Sequence, residues 1–204
     1  MAVPPPSPAA DTSAADKAAV RAALRAARSA YVATLGADGR HDALAAAAAR
    51  ALPRVPAGAV VALYRAFGDE IDPAPLGLAL AAAGHRLALP HVGRADRRMR
   101  FLAWNPEAPL VKGPFGLHQP HDDSAAVTPD LIVTPLVGFD RAGGRIGQGG
   151  GFYDRAFAAL PGAIRIGYAW TVQEVDRVPR DPWDAPLDGV VTEREWIECT
   201  TTGR

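Results

Sequence analysis

Six glycines and one arginine stand close together late in the chain, and their types and spacing suit phosphate binding. The glycines fall between residues 143 and 151, and Arg145 lies among them. Glycine adds nothing to a core and costs backbone entropy, but it lets main-chain N–H groups approach a ligand closely. The start of a following helix would add free N–H donors, and an arginine adds a fixed positive charge. The sequence therefore predicts a phosphate-binding loop.

The glycine-rich segment matches neither common nucleotide-binding fingerprint. A P-loop would begin at Gly144, but Gly150 stands where the pattern requires lysine. A dinucleotide fingerprint would begin at Gly147, but Phe152 replaces its third glycine. The alternative is a structural connection between strand and helix, although such a turn needs only one or two glycines.

Basic residues near the N-terminus offer a second set of candidate phosphate ligands. Lys17 and Arg21 lie one helical turn apart, close to the start of a predicted helix. Cations oppose the helix dipole at that end, so either a bound anion or a solvated helix face explains the pair. Arg25 and Arg28 continue the stripe, and we interpret these two as solvated.

Acidic residues near the predicted strand ends could hold a metal or a polar ligand. Asp154 lies at the start of the predicted helix after the glycines. An acidic side chain there interacts favourably with the helix dipole, but it could equally bind Mg²⁺ beside a phosphate. Asp184, in a proline-flanked segment, could complete that site. Asp69 and Glu70 follow the first predicted strand, and they either bind a polar heterocycle or are solvated. The five histidines lack zinc-ligand spacing, and we interpret them as structural or surface residues.

Short apolar runs alternate with helical segments along the chain. One predicted helix begins near Ser13, and three more cover 42–52, 75–83 and 152–160. The predicted strands are 59–65, 85–90, 99–104, 131–134, 163–169, 189–192 and 195–199. This alternation predicts a three-layer α/β fold, with a mostly parallel sheet and helices on both faces, Rossmann-like but without a dinucleotide fingerprint. Ligands of such sheets bind beyond the carboxyl ends of the strands, so the loops after Arg65, Pro90 and Thr134 should converge.

Composition narrows the classes of protein that the chain could be. The 204 residues include 22 basic and 22 acidic side chains, and this zero net charge removes the main electrostatic argument for nucleic-acid binding. The single cysteine, Cys199, excludes an intrachain disulfide. No apolar run reaches membrane-spanning length. We expect a flexible tail at 1–12, a single α/β domain at 13–204, and a cytoplasmic monomer without membrane or nucleic-acid partners.

The stretch GFDRAGGRIGQGGGFYDR, residues 138–155, resembles the signature of the 5-formyltetrahydrofolate cyclo-ligases, also called 5,10-methenyltetrahydrofolate synthetases. The positions that match are Phe139, Asp140, Gly144, Arg145, Gly147, Gly149, Gly151, Tyr153 and Asp154. Ile146 and Phe152 depart from it conservatively. Weaker similarities occur elsewhere, in the same order as in the family: the Lys17–Arg21 helix, the strand ending in Tyr64 with Glu70 and Asp72 beyond it, and the segments LALPHV, FGLHQP and WDAPLDGVVTE. In FGLHQP, Gln119 stands where many bacterial members have Glu.

The resemblance implies a ligase that forms a C–N bond. Its substrates would be ATP and 5-formyltetrahydrofolate, with Mg²⁺ as cofactor, and its products 5,10-methenyltetrahydrofolate, ADP and phosphate. A phosphorylated formyl group would be the intermediate. The alternative is a non-catalytic nucleotide- or folate-binding relative, against which the matching charged positions argue. A nicotinamide-dependent oxidoreductase would need the dinucleotide fingerprint that is absent here.

The resemblance also implies roles for individual residues. The catalytic residues would be Arg145 and Tyr153. The ATP site would comprise Lys17, Arg21, Gly144, Arg145, Gly147, Gln148, Gly149, Gly150, Gly151, Phe152 and Tyr153. The folate site would comprise Arg65, Phe67, Glu70, Phe115, Gln148, Gly149 and Phe152. Asp154 and Asp184 would hold Mg²⁺. From the residues alone, Phe152 and Tyr153 are interpreted as packing groups at the helix entry, although Tyr153 could contact ligand.

Overall fold

The computed structural model describes residues 8–93, 98–181 and 184–199, with side chains from residue 17 onward. Its strands, in chain order, are β1 Val60–Ala62, β2 Arg86–Val92, β3 Met99–Trp104, β4 Val111–Lys112, β5 His118–Gln119, β6 Leu131–Pro135, β7 Gly138–Phe139, β8 Arg145–Ile146, β9 Ile164–Tyr168, β10 Gly189–Val191 and β11 Trp196–Glu198. The helices are α1 Pro8–Ala51, α2 Ala74–Ala82 and α3 Phe152–Ala159.

Seven of these strands form one sheet in the order β11-β10-β9-β6-β1-β2-β3. The five inner strands, from β10 to β2, are all parallel. The two edge strands are antiparallel to their neighbours. This confirms the mostly parallel sheet that the alternating pattern predicts.

Alternate residues of the inner strands enter two separate cores, as expected for strands that are buried on both faces. On β6, Leu131 and Val133 pack in one core with Leu76 of α2 and with residues of α1. Ile132 faces the other way and packs with Phe157 of α3. Helices therefore cover both faces of the sheet, and the three-layer prediction is confirmed.

Helix α1 begins earlier than the sequence predicts and contains a break. It starts at Pro8 rather than near Ser13, because the alanine-rich segment favours helix and proline fits the first helical turn. Residues 8–12 of the predicted tail thus belong to α1, and residues 1–7 lie outside the described part of the chain. At Gly36 the backbone has φ 63° and ψ −174°, which interrupts the helix. None of the helices that the structure describes is long and apolar enough to cross a membrane.

Two short hairpins lie outside the main sheet, and the sequence predicts neither of them. One joins β4 to β5, and the other joins β7 to β8. Strands of two residues carry no readable periodicity, which is why sequence patterns miss them. The β7–β8 hairpin pairs Phe139 with Arg145 and so places that arginine beyond the carboxyl end of β6.

Candidate active site

A buried carboxylate shapes the start of the glycine loop. The Asp140 side chain accepts hydrogen bonds from the main-chain N–H groups of Gly144, at 2.7 Å, and Val178, at 2.8 Å. A Cβ atom on Gly144 would lie only 2.6 Å from Asp140 Oδ2, so this glycine is required by packing. Part of the glycine content therefore serves the turn itself.

The later glycines of the loop lie beside positive charge. A Cβ on Gly147 would lie 3.4 Å from Arg145 Nη1, and one on Gly149 would lie 4.0 Å from Arg21 Cζ. Gly149 has φ 101° and Gly151 has φ 62°, conformations that side chains with a Cβ rarely adopt. The loop thus exposes main-chain atoms next to two guanidinium groups, which is the arrangement expected of a phosphate site.

Arg145 is a cation whose side chain is largely enclosed, with 6% of it exposed. It forms an ion pair with Asp154, and its Cζ lies 5.0 Å from the centroid of the Phe157 ring. Burial lowers the pKa of Arg145, while the charges of Asp154 and Asp184 act in the opposite direction. Its buried Nε has no hydrogen-bond partner among the residues that the structure describes. A buried, incompletely paired guanidinium is costly unless a ligand completes it.

Helix α1 brings two more cations to the same place. Lys17 Nζ lies 2.6 Å from Asp181 Oδ2 and 3.5 Å from Asp184 Oδ2. Burial alone would lower the pKa of Lys17, but its hydrogen bond to Asp181 and the charge of Asp184 raise it. Arg21 Nε donates to the carbonyl of Gly147 at 3.0 Å. Neither side chain is a freely solvated one on an outer helix face.

Glu70 is held in a chain of hydrogen bonds that connects two strand-end loops. Gln148 donates to one carboxylate oxygen at 2.9 Å, and the Phe67 N–H donates to the other at 3.0 Å. Arg25 is exposed, as its interpretation as a solvated residue predicts, and it also donates a hydrogen bond to Gln148. Burial raises the pKa of Glu70, and these hydrogen bonds oppose that shift. The loop after β1 and the loop after β6 therefore converge, as predicted.

Arg28 is a site residue that the sequence analysis missed. Its predicted solvation is wrong, since only 7% of the residue is exposed. Its Nε and Nη1 have no hydrogen-bond partner in the described ranges, and its charge acts on Glu70. The signal was present in the spacing, because Arg28 follows Leu24 by four residues and precedes Tyr31 by three, so all three share one helix face.

Two aromatic rings of the predicted folate site are exposed. Phe67 is 63% exposed and Phe115 is 58% exposed, which is unusual for large apolar side chains. The Phe115 ring lies edge-on to Phe152, with 6.0 Å between their centroids. Tyr153 packs against Phe157, as the packing interpretation expects, and burial raises the pKa of its hydroxyl. Arg65 is exposed at the carboxyl end of β1.

The two predicted metal ligands both act on one guanidinium. Asp154 pairs with Arg145 directly, and Asp184 interacts with Arg145 through its charge. No group of three or more His, Cys, Asp or Glu residues that could hold a metal occurs in the described ranges. A magnesium ion with these two carboxylates would need its other ligands from phosphate or water, which is how Mg²⁺ commonly binds.

Comparison with known proteins decides the family. A model of the 5-formyltetrahydrofolate cyclo-ligase family matches residues 13–193. The chain belongs to this family. The 5-formyltetrahydrofolate cyclo-ligase of Escherichia coli strain K12 is 38% identical over 152 residues, which cover 69% of this chain and 81% of that protein. The protein of the same name from Mycolicibacterium smegmatis is 32% identical over 149 residues, covering 69% and 76%.

Solved structures of the family have the same fold. The NMR structure of Aquifex aeolicus 5,10-methenyltetrahydrofolate synthetase superimposes with a TM-score of 0.76 at 28% identity, over 92% of this chain and 94% of that one. A 5,10-methenyltetrahydrofolate synthetase from Mycoplasma pneumoniae gives a TM-score of 0.64 at 24% identity, over 87% and 99%, and supports the fold alone.

Proposed function

We propose that this protein converts 5-formyltetrahydrofolate to 5,10-methenyltetrahydrofolate while ATP is split into ADP and phosphate. The observation that carries the proposal is Arg145, a buried and incompletely paired guanidinium inside the glycine loop of the family signature. The names of the cyclo-ligase relatives support the reaction, and the charges around the loop support a polyanionic co-substrate.

Three cations converge where the triphosphate would bind. Arg145 and Arg21 lie beside Gly147 and Gly149, and Lys17 reaches the acidic segment next to them. In the structure the protein partners of these cations are Asp154, Asp181 and a main-chain carbonyl. Phosphate oxygens would replace those partners and would also accept hydrogen bonds from the free N–H groups of the loop.

The reaction needs charge neutralisation and positioning rather than a protein nucleophile. The formyl oxygen attacks the γ-phosphorus, the bond to the bridging oxygen breaks, and ADP leaves. N10 of the folate then attacks the activated formyl carbon and forms the new C–N bond. The C–O bond breaks, phosphate departs with the electron pair, and the N10 proton ends on that phosphate. Arg145 would stabilise the charge that develops on the transferred group.

Asp154 and Asp184 have the donor chemistry to hold Mg²⁺ beside the phosphates. Both carboxylates interact with Arg145, and both are partly accessible, with side-chain exposures of 29% and 23%. A bound Mg²⁺ supplies further charge neutralisation to the phosphate oxygens. To bind it, Asp154 would exchange its pairing with Arg145, and Asp184 its pairing with Lys17.

The pteridine of the folate would bind at Glu70. This ring system carries N–H donors, and the buried Glu70 carboxylate is a fixed acceptor held by Gln148 and the Phe67 N–H. The exposed rings of Phe67 and Phe115 offer surfaces on which the aromatic parts of the substrate can pack. Gln148 would connect this site to the phosphate loop, since it belongs to both.

A single assay separates this proposal from a non-catalytic binding protein. Purified protein is mixed with ATP, Mg²⁺ and 5-formyltetrahydrofolate, and the extended chromophore of the methenyl product is followed by absorbance. We expect product only when ATP and Mg²⁺ are both present, and one ADP for each product formed. Binding of both ligands without turnover would identify a non-catalytic relative, and full turnover without ATP would exclude the phosphorylated intermediate.

A further inference from the structure

Phe157 of α3 places one aromatic ring against two arginine side chains. Arg145 Cζ lies 5.0 Å from the centroid of this ring, and Arg165 Cζ lies 5.4 Å from it. The ring is fully buried and belongs to the core in which α3 packs on the sheet. The face of an aromatic ring attracts a guanidinium group at such a distance, and the attraction is stronger where water is excluded. Neither the ring nor Arg165 has a role in the reaction proposed above.

The guanidinium of Arg165 is held by main-chain carbonyls. It donates to the carbonyl of Pro161 at 3.3 Å and to that of Pro186 at 3.4 Å, and only 9% of the residue is exposed. Its buried Nε has no hydrogen-bond partner among the residues that the structure describes. Carbonyl groups carry no net charge, so these contacts leave the positive charge of Arg165 in place. Like charges repel, and Arg165 therefore opposes movement of the Arg145 guanidinium towards it.

Arg145 has two contacts on α3 that differ in their response to ligands. The first is the ion pair with Asp154, which Asp154 would exchange if it bound Mg²⁺. The second is the Phe157 ring, three residues further along the helix. This ring has no charge and offers no ligand atom to a metal or a phosphate. The contact with Phe157 is therefore the one that remains when Asp154 changes its partner.

We propose that Phe157 is a positioning residue that holds the Arg145 guanidinium beside the glycine loop, and that Arg165 keeps this guanidinium from moving deeper into the core. The inference rests on the proposed function, in which Arg145 stabilises the phosphoryl group during its transfer. Lys17, Arg21 and the loop N–H groups also bind the triphosphate in that proposal. Loss of the ring contact should therefore affect kcat more than the KM for ATP.

The first test changes the electron density of the ring and leaves its shape nearly intact. Phe157 is replaced in the whole chain by monofluorinated and by trifluorinated phenylalanine, because fluorine weakens the attraction of the ring face for a cation. We expect kcat to fall stepwise, by about tenfold for the trifluorinated ring, while KM for ATP changes by less than about twofold. The control is Phe101, a buried phenylalanine of the same core, whose fluorination should leave kcat unchanged. A kcat that does not respond to fluorination of Phe157 would overturn the proposal.

A double-mutant cycle tests whether Phe157 acts through Arg145. Phe157→Leu should lower kcat about tenfold in the parent and less than about twofold in Arg145→Ala, where no guanidinium remains to be positioned. Phe101→Leu should leave kcat unchanged in both. Equal losses in the two backgrounds would show a structural role and overturn the proposal. If Phe157→Leu does not fold, the fluorinated proteins decide the question.

Substitutions of Arg165 test its part separately. Arg165→Met removes the charge and should lower kcat, because the Arg145 guanidinium is then free to move towards the core. Arg165→Lys keeps the charge and should retain most of the rate. Equal rates in the two variants would overturn the role of Arg165.

A spectroscopic readout does not depend on turnover and separates this inference from the proposed function. The Arg145 Nε–H proton, assigned by its loss in Arg145→Lys, should show a ring-current shift that disappears in Phe157→Leu. The shift should persist when ATP and Mg²⁺ are added to the parent protein, and its loss on that addition would overturn the positioning role. Absence of methenyl product from the parent protein would instead overturn the proposed function.

Discussion

Arg28 changes the interpretation of this site most, because the sequence pattern predicts a solvated side chain and the structure shows a buried one. It lies buried on the inner face of α1, with its charge acting on the Glu70 carboxylate. Burial raises the pKa of Glu70 and Arg28 lowers it. We infer that Arg28 is a positioning residue whose charge adds to the hydrogen bonds from the Phe67 N–H and Gln148 in favouring the ionised form of Glu70.

Arg28→Gln should shift the pH dependence of folate binding. Without the arginine charge the pKa of Glu70 rises further, so binding that needs the ionised carboxylate is lost at a higher pH as the solution is acidified. The measurement is the folate Kd across the acidic range for the parent and the variant. In a Glu70→Gln variant the shift should disappear. Identical pH profiles for the parent and Arg28→Gln would contradict this role.

Arg145→Ala should lower activity without unfolding the protein. Charge-assisted hydrogen bonds contribute roughly 1.5–3 kcal/mol, which corresponds to about 10- to 150-fold in kcat/KM for ATP. Arg145→Lys should restore only part of the rate, because an ammonium group lacks the planar fork of arginine. The matched control is Arg141→Ala, at an exposed arginine that pairs with Glu174 and Glu195 on the surface. Unchanged ATP kinetics in Arg145→Ala would refute the phosphate role.

At the scale of elements, the β7–β8 hairpin positions the glycine loop through one buried carboxylate. Asp140 is 3% exposed and accepts hydrogen bonds from Gly144, Val178 and Arg180. Asp140→Ala would leave buried N–H groups unpaired, so we expect a loss of about 3 kcal/mol in the free energy of unfolding. Urea denaturation measures it. A variant as stable as the parent would show that water or a shifted loop replaces the carboxylate.

Helix α1 should contribute to ATP binding through its first two cations, Lys17 and Arg21. Replacing Lys17 and Arg21 together by Gln should weaken ATP binding more than folate binding. The difference from the parent should shrink at high salt, because the missing charge interactions are partly screened there. Calorimetric titration with ATP at two salt concentrations checks this, with Arg86→Gln as control. If the double variant bound ATP as well as the parent, the two cations would serve only to dock α1 on the acidic segment.

At the scale of the whole molecule, the proposed magnesium site joins two segments that are distant in sequence. Asp154 lies in the first turn of α3 and Asp184 lies between β9 and β10, yet both interact with Arg145. Asp154→Asn and Asp184→Asn should each raise the Mg²⁺ concentration required for half-maximal rate. The control is Asp38→Asn, on the exposed surface of α1. Asp188 is unsuitable as a control because its carboxylate accepts a hydrogen bond from the main-chain N–H of Arg165. An unchanged Mg²⁺ requirement in both variants would remove these residues from the site.

Gln119, which stands where many bacterial members of the family have Glu, connects two parts of the molecule. Its side chain accepts from the Val92 N–H at 3.1 Å and donates to the Val92 carbonyl at 3.4 Å. It therefore attaches the β4–β5 hairpin to β2, and it is buried. In this structure Gln119 holds the hairpin that carries Phe115 and His118, which explains how the hairpin keeps its position beside the proposed folate site.

The sequence by itself determined the family, the position of the glycine loop and the order of the strands of the main sheet. The glycines, Arg145 and Asp154 are neighbours along the chain, and apolar periodicity is a local property, so both are readable without a fold. The tertiary structure alone decided which distant groups meet. Gln148 bonds to Glu70 across 78 positions, and Lys17 to Asp181 across 164. Such pairs depend on the strand order and on which face of α1 packs inward, and the same packing buries Arg28. A sequence does not show these features, because desolvation and pairing arise only between segments that the fold brings together.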